Sequence, residues 1–351
     1  MARFRQRVVV ALAAGAALVS AGCAPPANGG RTDATAGTVT LGIASLPSFT
    51  WAPHHAAAAG GMLTEELGKV KANYRVTEFS GGGPLFAALS SGDVQLAFVP
   101  AATVAQLNAK DRGLKCVMML SGGGSVILMG AAKYRESRGK NLAAYDGATW
   151  GYSSEGSSGR QIAEMAAKHA GLDWARQHGI ALGSPAAAEP ALAAGRADLV
   201  SVDSRTAQEI VDKGTGYVVL NTNDAADRLF PYSHTGNCIA ATDGYLRDHR
   251  AEVEAVVRAE LRGLRQVQEK SGDPAAMAKV FTGLRWDPKE WQLVATAFAN
   301  VSGVPTAETV ADTKGMAEEL YRLKLTDQQM QASFTADVID GAYRALGVQP
   351  R

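Results

Sequence analysis

Cysteine is scarce in this chain: three in 351 residues, Cys23, Cys116 and Cys238, with no Cys-x-x-Cys pair and no cysteine and histidine spacing of the kind that holds a structural zinc. A bias toward one charge is also lacking. The 35 basic and 34 acidic residues leave a formal charge of +1, so no overall field draws the chain to nucleic acid or to an acidic membrane surface. The apolar run over residues 8–19 is too short to span a bilayer comfortably, and no repeat at solenoid spacing is present. What remains is a globular chain with 46% hydrophobic composition, long enough to bury a sizeable core in two domain-sized units. Its expected partners are small molecules.

The first residues carry a specific signal. Arg3, Arg5 and Arg7 precede the apolar run, which together describe an export signal rather than a membrane helix. No paired arginines are present, so export in the unfolded state is expected. The following "LVSAGCAPPANGG" is similar to a bacterial lipoprotein box, with small residues before Cys23, although Ser20 stands where leucine is commoner. On that reading residues 1–22 are a signal peptide, Cys23 is acylated, and residues 23–37 form a flexible tether rich in Ala, Pro, Gly and Asn. Cleavage at a nearby small-x-small site, giving a soluble secreted protein, is the competing reading. Cys116 in "LKCVMML" and Cys238 in "GNCIAAT" sit in apolar flanks that favour buried free thiols, with a disulfide left open by an oxidising compartment.

From Thr38 onward strand-like and helical runs alternate: "VTLGIA", a helix over residues 53–66, "YRVTEF", a helix after three glycines, "VQLAFV", a helix over 103–109, and "KCVMML". A second block follows residue 131, with "ATWGYS", a helix over 159–170, "ADLVSVD", a helix over 204–213 and "YVVLN". This is α/β alternation and predicts parallel sheets. Beyond Leu246 the pattern turns to amphipathic helices, "RAEVEAVVRAELRGLRQVQEK" and "DVIDGAYRALG" among them.

The run Gly81-Gly82-Gly83 invites a nucleotide reading, which fails. A P-loop needs a lysine after its glycines, but Pro84, Leu85 and Phe86 follow here. A dinucleotide fingerprint needs a third glycine where Phe86 stands. The alternative is a strand-end loop whose backbone can approach a ligand at a helix start. "ASLPSFTWAP", "SGGGP", "PAAT" and "SGGGS" all follow strands, and in open α/β sheets ligands bind at that edge. In the second block, Gly156, Ser157, Ser158 and Gly159 open a helix beside Arg160, a corner suited to an anion. An ordinary N-cap with Arg160 in water is the alternative there.

These stretches, together with "NLAAYDGATWGYSSEGSSGRQIAEMAAKHAGL", "ALAAGRADLVSVDS" and "ATDGYLRDHRAEVEAVVRA", resemble successive signatures of ABC-transporter substrate-binding proteins of the nitrate/sulfonate/taurine and thiamine-precursor type. The resemblance covers nearly all of the chain after Cys23. It implies a type II periplasmic-binding fold: two α/β lobes joined by two crossing strands, with a ligand cleft between and a helical C-terminal tail. Lobe one would comprise residues 38–130 and 236–351, lobe two residues 131–235, with crossings near 125–131 and 234–241. Carried over position by position, the cleft residues would be Ser48, Trp51, Gly82, Gly83, Ala101, Thr103, Ser157, Ser158, Arg160 and Asp203. Two departures stand out. His54-His55 replaces uncharged residues at the first helix start, though no second cluster accompanies them to make a metal site. Asp203-Ser204-Arg205 lacks the aromatic-acid-proline pattern common there.

The resemblance implies a non-enzymatic, extracytoplasmic lipoprotein. It would capture a small organic solute, with a lean toward an anion of the sulfonate, taurine or nitrate type, and deliver it to an ABC permease and its ATPase. A monomer is expected, held at the membrane only by lipid on Cys23, without cofactor, metal or nucleic acid. The alternatives are a thiamine-pyrimidine-precursor binding protein or related enzyme, and a ligand-sensing lipoprotein. No Gly-x-Ser-x-Gly elbow and no His-Glu-x-x-His helix supports catalysis, and the cysteine-rich motif of the precursor-making relatives is missing.

Overall fold

The computed structural model describes residues 37–44, 49–121, 126–222, 236–270, 272–280 and 298–350; the proposed signal, Cys23, the tether up to residue 36 and Ser48 lie outside them. The chain begins with β1 (Thr38–Ala44), a 3-10 turn (Phe49–Trp51), α1 (Ala52–Ala59) and α2 (Met62–Lys69). One helix was expected over 53–66. Gly60 and Gly61 break it, because Gly61 adopts φ +69°, a left-handed conformation that glycine takes without a steric penalty. Next come β2 (Asn73–Phe79), α3 (Gly82–Ser91), β3 (Leu96–Pro100), α4 (Ala101–Asn108), β4 (Leu114–Met119) and β5 (Ile127–Ala131).

The second block holds β6 (Thr149–Tyr152), α5 (Ser158–His169), β7 (His178–Ala181), α6 (Ala188–Ala193), β8 (Leu199–Val202), α7 (Ser204–Asp212) and β9 (Gly216–Asn221). The chain then returns through β10 (Asn237–Thr242), followed by α8 (Asp243–Asp248), α9 (Arg250–Lys270), α10 (Pro274–Val280), α11 (Ala307–Tyr321), α12 (Asp327–Ala332) and α13 (Asp337–Leu346).

Two five-stranded sheets result, in the orders β2-β1-β3-β10-β4 and β7-β6-β8-β5-β9. Neither is purely parallel as the alternation predicts. β10 runs antiparallel to β3 and β4, and β5 runs antiparallel to β8 and β9. The reason is topological: each odd strand is the one by which the chain has just crossed from the other sheet, so it enters from the opposite end. β5 pairs wholly within the second sheet.

The pairing of Cys116 with Cys238 corrects the expectation of free thiols. The two are joined in a disulfide between β4 and its neighbour β10, where antiparallel pairing brings them to opposing strands of one sheet. Their apolar flanks predict burial, which holds, but burial says nothing of which residues the sheet order makes neighbours.

Helix α9 carries ten buried residues, among them Val253, Val256, Leu261 and Leu264, and packs against α1, α2 and α13 on one face of the first sheet. Its Gly263 lies so close to α1 that a Cβ there would stand 2.2 Å from the Pro53 carbonyl oxygen. On the other face an apolar core runs without a break from the first sheet into the second, through Val99 and Ala105 to Met316 and Leu320 of α11 and on to Ile162 and Trp150. The two expected domain-sized units thus each keep an apolar cluster of their own and share this third one. Among the described residues no helix is long and apolar enough to cross a membrane.

Candidate functional site

The strand ends that face each other across the two sheets enclose a cleft of about 690 Å³, partly open to solvent. Each wall is built the same way, from a strand that stops and a helix that starts. On the first sheet, β1 leads to Trp51 and α1, β2 to Gly81 and α3, and β3 to Pro100 and α4; on the second, β6 leads to Ser157 and α5, and β8 to Asp203 and α7. A helix start leaves backbone N–H groups without intrahelical partners and carries the positive end of the helix dipole. Several such starts around one cavity favour ligands with hydrogen-bond acceptors or negative charge.

The first wall is largely apolar. Phe98 on β3 takes the edge of Trp51 with ring centroids 5.7 Å apart, and Leu85, Phe86 and Val99 complete it. Trp51 is only 7% exposed, and its indole N–H donates to the Ala44 carbonyl oxygen at 3.3 Å, which fixes the ring at the wall. Behind Phe98 lies His54, with ring centroids 4.9 Å apart. Its Nδ1 is 2.7 Å from the buried Glu260 carboxylate of α9. Of the histidine pair singled out by sequence, His54 therefore ties α1 to α9 from beneath the cleft.

The second wall is hydroxyl-rich: Ser153, Ser154, Ser157, Ser158 and Ser201 all line it. Ser157 caps α5, its Oγ accepting from the Arg160 N–H at 3.2 Å, and Asp203 caps α7 by accepting from the Thr206 N–H at 2.8 Å. The Oγ atoms of Ser154 and Ser201 are buried and have no partner among the described residues. A buried hydroxyl without a partner costs roughly 1–3 kcal/mol, and since both serines line the cleft, a ligand atom or water bonded to them there would remove that cost.

Of the residues expected at the site, Trp51, Gly82, Ser157, Ser158 and Asp203 line the cleft together. Gly83 is one position further along α3 and faces solvent. Ala101 is fully buried at the start of α4, its N–H given to the Gly236 carbonyl oxygen at 2.9 Å. Thr103 joins the two halves elsewhere: its hydroxyl accepts from the Gln161 amide at 2.8 Å and lies 3.2 Å from the Tyr321 hydroxyl.

Arg160 turns away from the cleft. It pairs with Glu155 at 2.8 Å and with Glu164, and its guanidinium lies over the rings of Trp174 and Tyr152. Burial disfavours its charge, yet Glu164 and Glu155 hold it firmly protonated. Burial and then the bond to Glu155 push the Tyr152 hydroxyl up to about 12. Among the described lining residues, Asp203 is the charged one.

Sequence reasoning missed Phe98, Ser154, Ser201 and Asn237. Ser154 stands directly after the strand "ATWGYS", so its place at a strand end was a usable signal. Phe98, Ser201 and Asn237 sit inside strands, where alternation alone does not say which face meets the cleft.

The NMT1/THI5-like family model matches residues 77–272, more than half of the chain. This chain belongs to the NMT1/THI5-like family. The matched span runs from the end of β2 through the second sheet to the end of α9, and so contains both walls' glycine and serine turns. Solved structures share the fold over nearly their whole length. A protein of Bordetella bronchiseptica RB50 is 18% identical with a TM-score of 0.75, covering 88% of this chain and 98% of that one. The alkanesulfonate-binding protein SsuA from Xanthomonas axonopodis pv. citri, bound to MOPS, is 17% identical with a TM-score of 0.63, covering 87% and 97%. The periplasmic nitrate-binding protein NrtA from Synechocystis PCC 6803 is 13% identical with a TM-score of 0.65, covering 89% of each. No curated protein matches the sequence. The fold is that of the periplasmic binding proteins: two α/β lobes, each built on a mixed sheet, with a cleft between them.

Proposed function

We propose that this protein captures a small organic solute outside the cytoplasmic membrane and hands it to an ABC permease with its ATPase, without chemistry on the solute. Lobe one comprises the elements of the first sheet with the helices after β10, and lobe two those from β5 to β9. The observation that carries the reading is the cleft between facing strand ends, with one aromatic wall and one wall of helix starts holding two unpartnered buried hydroxyls. Such a cavity suits an acceptor-bearing head group against the serines and an apolar body against Trp51 and Phe98. A sulfonate fits both walls, and the similarity to sulfonate- and nitrate-binding proteins supports that class. With Arg160 spent on Glu155 and Glu164, the head group is met by hydroxyls and backbone amides of lobe two. Export and attachment through lipid on Cys23 complete the reading and rest on the sequence of the first 37 residues; a monomer is proposed with them.

The test is a thermal-shift panel on the soluble form beginning after Cys23, with alkyl and aryl sulfonates, taurine, nitrate, thiamine precursors and carboxylates. A ligand at a hundred times its dissociation constant raises stability by about 2.7 kcal/mol. A sulfonate hit, recovered unchanged and weakened at least tenfold by Ser201→Ala with Ser154→Ala, supports the reading. Turnover of the compound, or a panel with no response, defeats it.

A further inference from the structure

The glycine run has a use besides leaving room for solute. The Gly82 N–H, at the first position of α3 on lobe one, donates to the Glu155 carbonyl oxygen of the β6–α5 turn on lobe two, at 3.2 Å. The two backbones meet with no side chain between them. A Cβ on Gly81 would stand 3.2 Å from Ser154 Cβ, and one on Gly82 would stand 3.4 Å from both the Glu155 carbonyl oxygen and the Gly156 backbone. Gly156 itself is at φ +78°, a conformation that turns the Glu155 peptide toward lobe one and that other residues adopt at a cost.

The accepting turn is held from its own lobe. The Glu155 carboxylate receives the Tyr152 hydroxyl bond and pairs with Arg160, and Arg160 is in turn braced by Glu164 and the Trp174 ring. The Ser157 N–H donates to the Ser154 carbonyl oxygen at 3.1 Å and closes the turn. Tyr152, Glu155, Arg160 and Glu164 contribute nothing to the cleft lining, so this arrangement shapes the turn rather than touching solute.

We propose that the Gly82 to Glu155 contact is a backbone latch that favours the closed cleft through protein atoms alone, and that Arg160, acting through Glu155, is its positioning residue. Closure of two lobes is a shift between two populations. Whatever raises the closed fraction before solute arrives raises apparent affinity by the same factor. The latch explains why glycine occupies facing positions on both lobes, and why the one arginine near the serine turn points away from the cavity.

The test uses the soluble protein without solute, after unfolding and refolding to strip any bound small molecule, so its outcome is separate from whether a sulfonate binds. Gly82→Pro removes the N–H, while proline is favoured at the first position of a helix and the extended Gly81 before it, φ 173° and ψ 177°, accommodates a following proline. Gly82→Ala keeps the N–H but adds the Cβ, and serves if the proline variant does not fold. Small-angle scattering is expected to give a compact wild type and a larger radius of gyration for Gly82→Pro, with Gly82→Ala between. Hydrogen exchange of the segment over residues 79–85 is expected to be at least tenfold faster in Arg160→Ala than in wild type, with partial recovery in Arg160→Lys. Identical scattering for wild type and the Gly82 variants overturns the latch. A lower melting temperature in Arg160→Ala with unchanged exchange over residues 79–85 makes that arginine a structural brace only and overturns its positioning role.

Discussion

The two sheets share a strand order but are secured by different chemistry. The first is stapled by the Cys116–Cys238 disulfide and covered by α9, whose Arg258 and Arg262 converge on Glu66 of α2 at 2.9 and 2.8 Å. The second has no cystine among its described residues. Its β9 is instead tied by tyrosines to the chain that follows β5: the Tyr217 hydroxyl is 2.5 Å from that of Tyr145 and 3.1 Å from the carbonyl oxygens of Tyr134 and Gly139. Since the carbonyls can only accept, Tyr217 donates to one of them and receives the Tyr145 proton. Arg138 lies over Tyr134 and Tyr145. The contrast teaches that two sheets of one strand order can be secured by different chemistry, covalent and ionic around the first and aromatic around the second.

Breaking the covalent anchor has the largest expected effect. Cys116→Ser with Cys238→Ser releases a closure spanning 122 residues and is expected to cost about 5 kcal/mol by chain entropy, read by urea unfolding. The ionic anchor comes next. Glu66 is 2% exposed, and Glu66→Ala takes from Arg258 and Arg262 their shared buried carboxylate, leaving them Glu254 and Glu65, at a cost of about 3 kcal/mol.

That pair also predicts a pH dependence. Burial alone would raise the Glu66 carboxyl, but Lys69, Arg258 and Arg262 hold it below its ordinary value of 4.5. A depressed folded value means the contribution is complete above the ordinary value and is lost as pH falls through the folded one. Unfolding free energy measured between pH 6 and 3 should therefore drop less steeply in Glu66→Gln than in wild type.

The aromatic anchor is weaker. Tyr217→Phe leaves the buried Tyr145 hydroxyl without its partner and is expected to cost about 1–2 kcal/mol, with the loss confined by hydrogen exchange to β5 and β9. The smallest effect belongs to Ser157→Ala, which removes the α5 cap and costs about 1 kcal/mol. Because Ser157 also lines the cleft, this variant sharpens the comparison if it lowers solute affinity more than stability.

Much of this arrangement was legible from residues alone. "RAEVEAVVRAELRGLRQVQEK" coincides with α9, and the serine turn opens α5 one residue before its expected start. Elements whose pattern is local were read well. β7, with the short and largely exposed sequence "HGIA", carries too few apolar residues to announce a strand and exists because β6 offers it an edge. The site divided the same way. Trp51, Gly82, Ser157, Ser158 and Asp203 sit at strand ends, where position in the chain implies position in the cleft. Arg160 went elsewhere because Glu164, one helical turn on, and Glu155, in the turn before the helix, reach its guanidinium first.

The sequence by itself determined the alternation of strands and helices, the amphipathic tail, the small-residue turns at strand ends and the family those turns resemble. All of these are written in periods and spacings of a few residues. Only the tertiary structure decided that Cys116 meets Cys238, that β5 and β10 run against their neighbours, that His54 reaches Glu260, and that the Gly82 N–H is spent on the opposite lobe. Each of those joins residues between 73 and 206 positions apart or reverses a strand's direction, and such pairings are set by which sheet a strand enters, a choice made by the packing of the whole core.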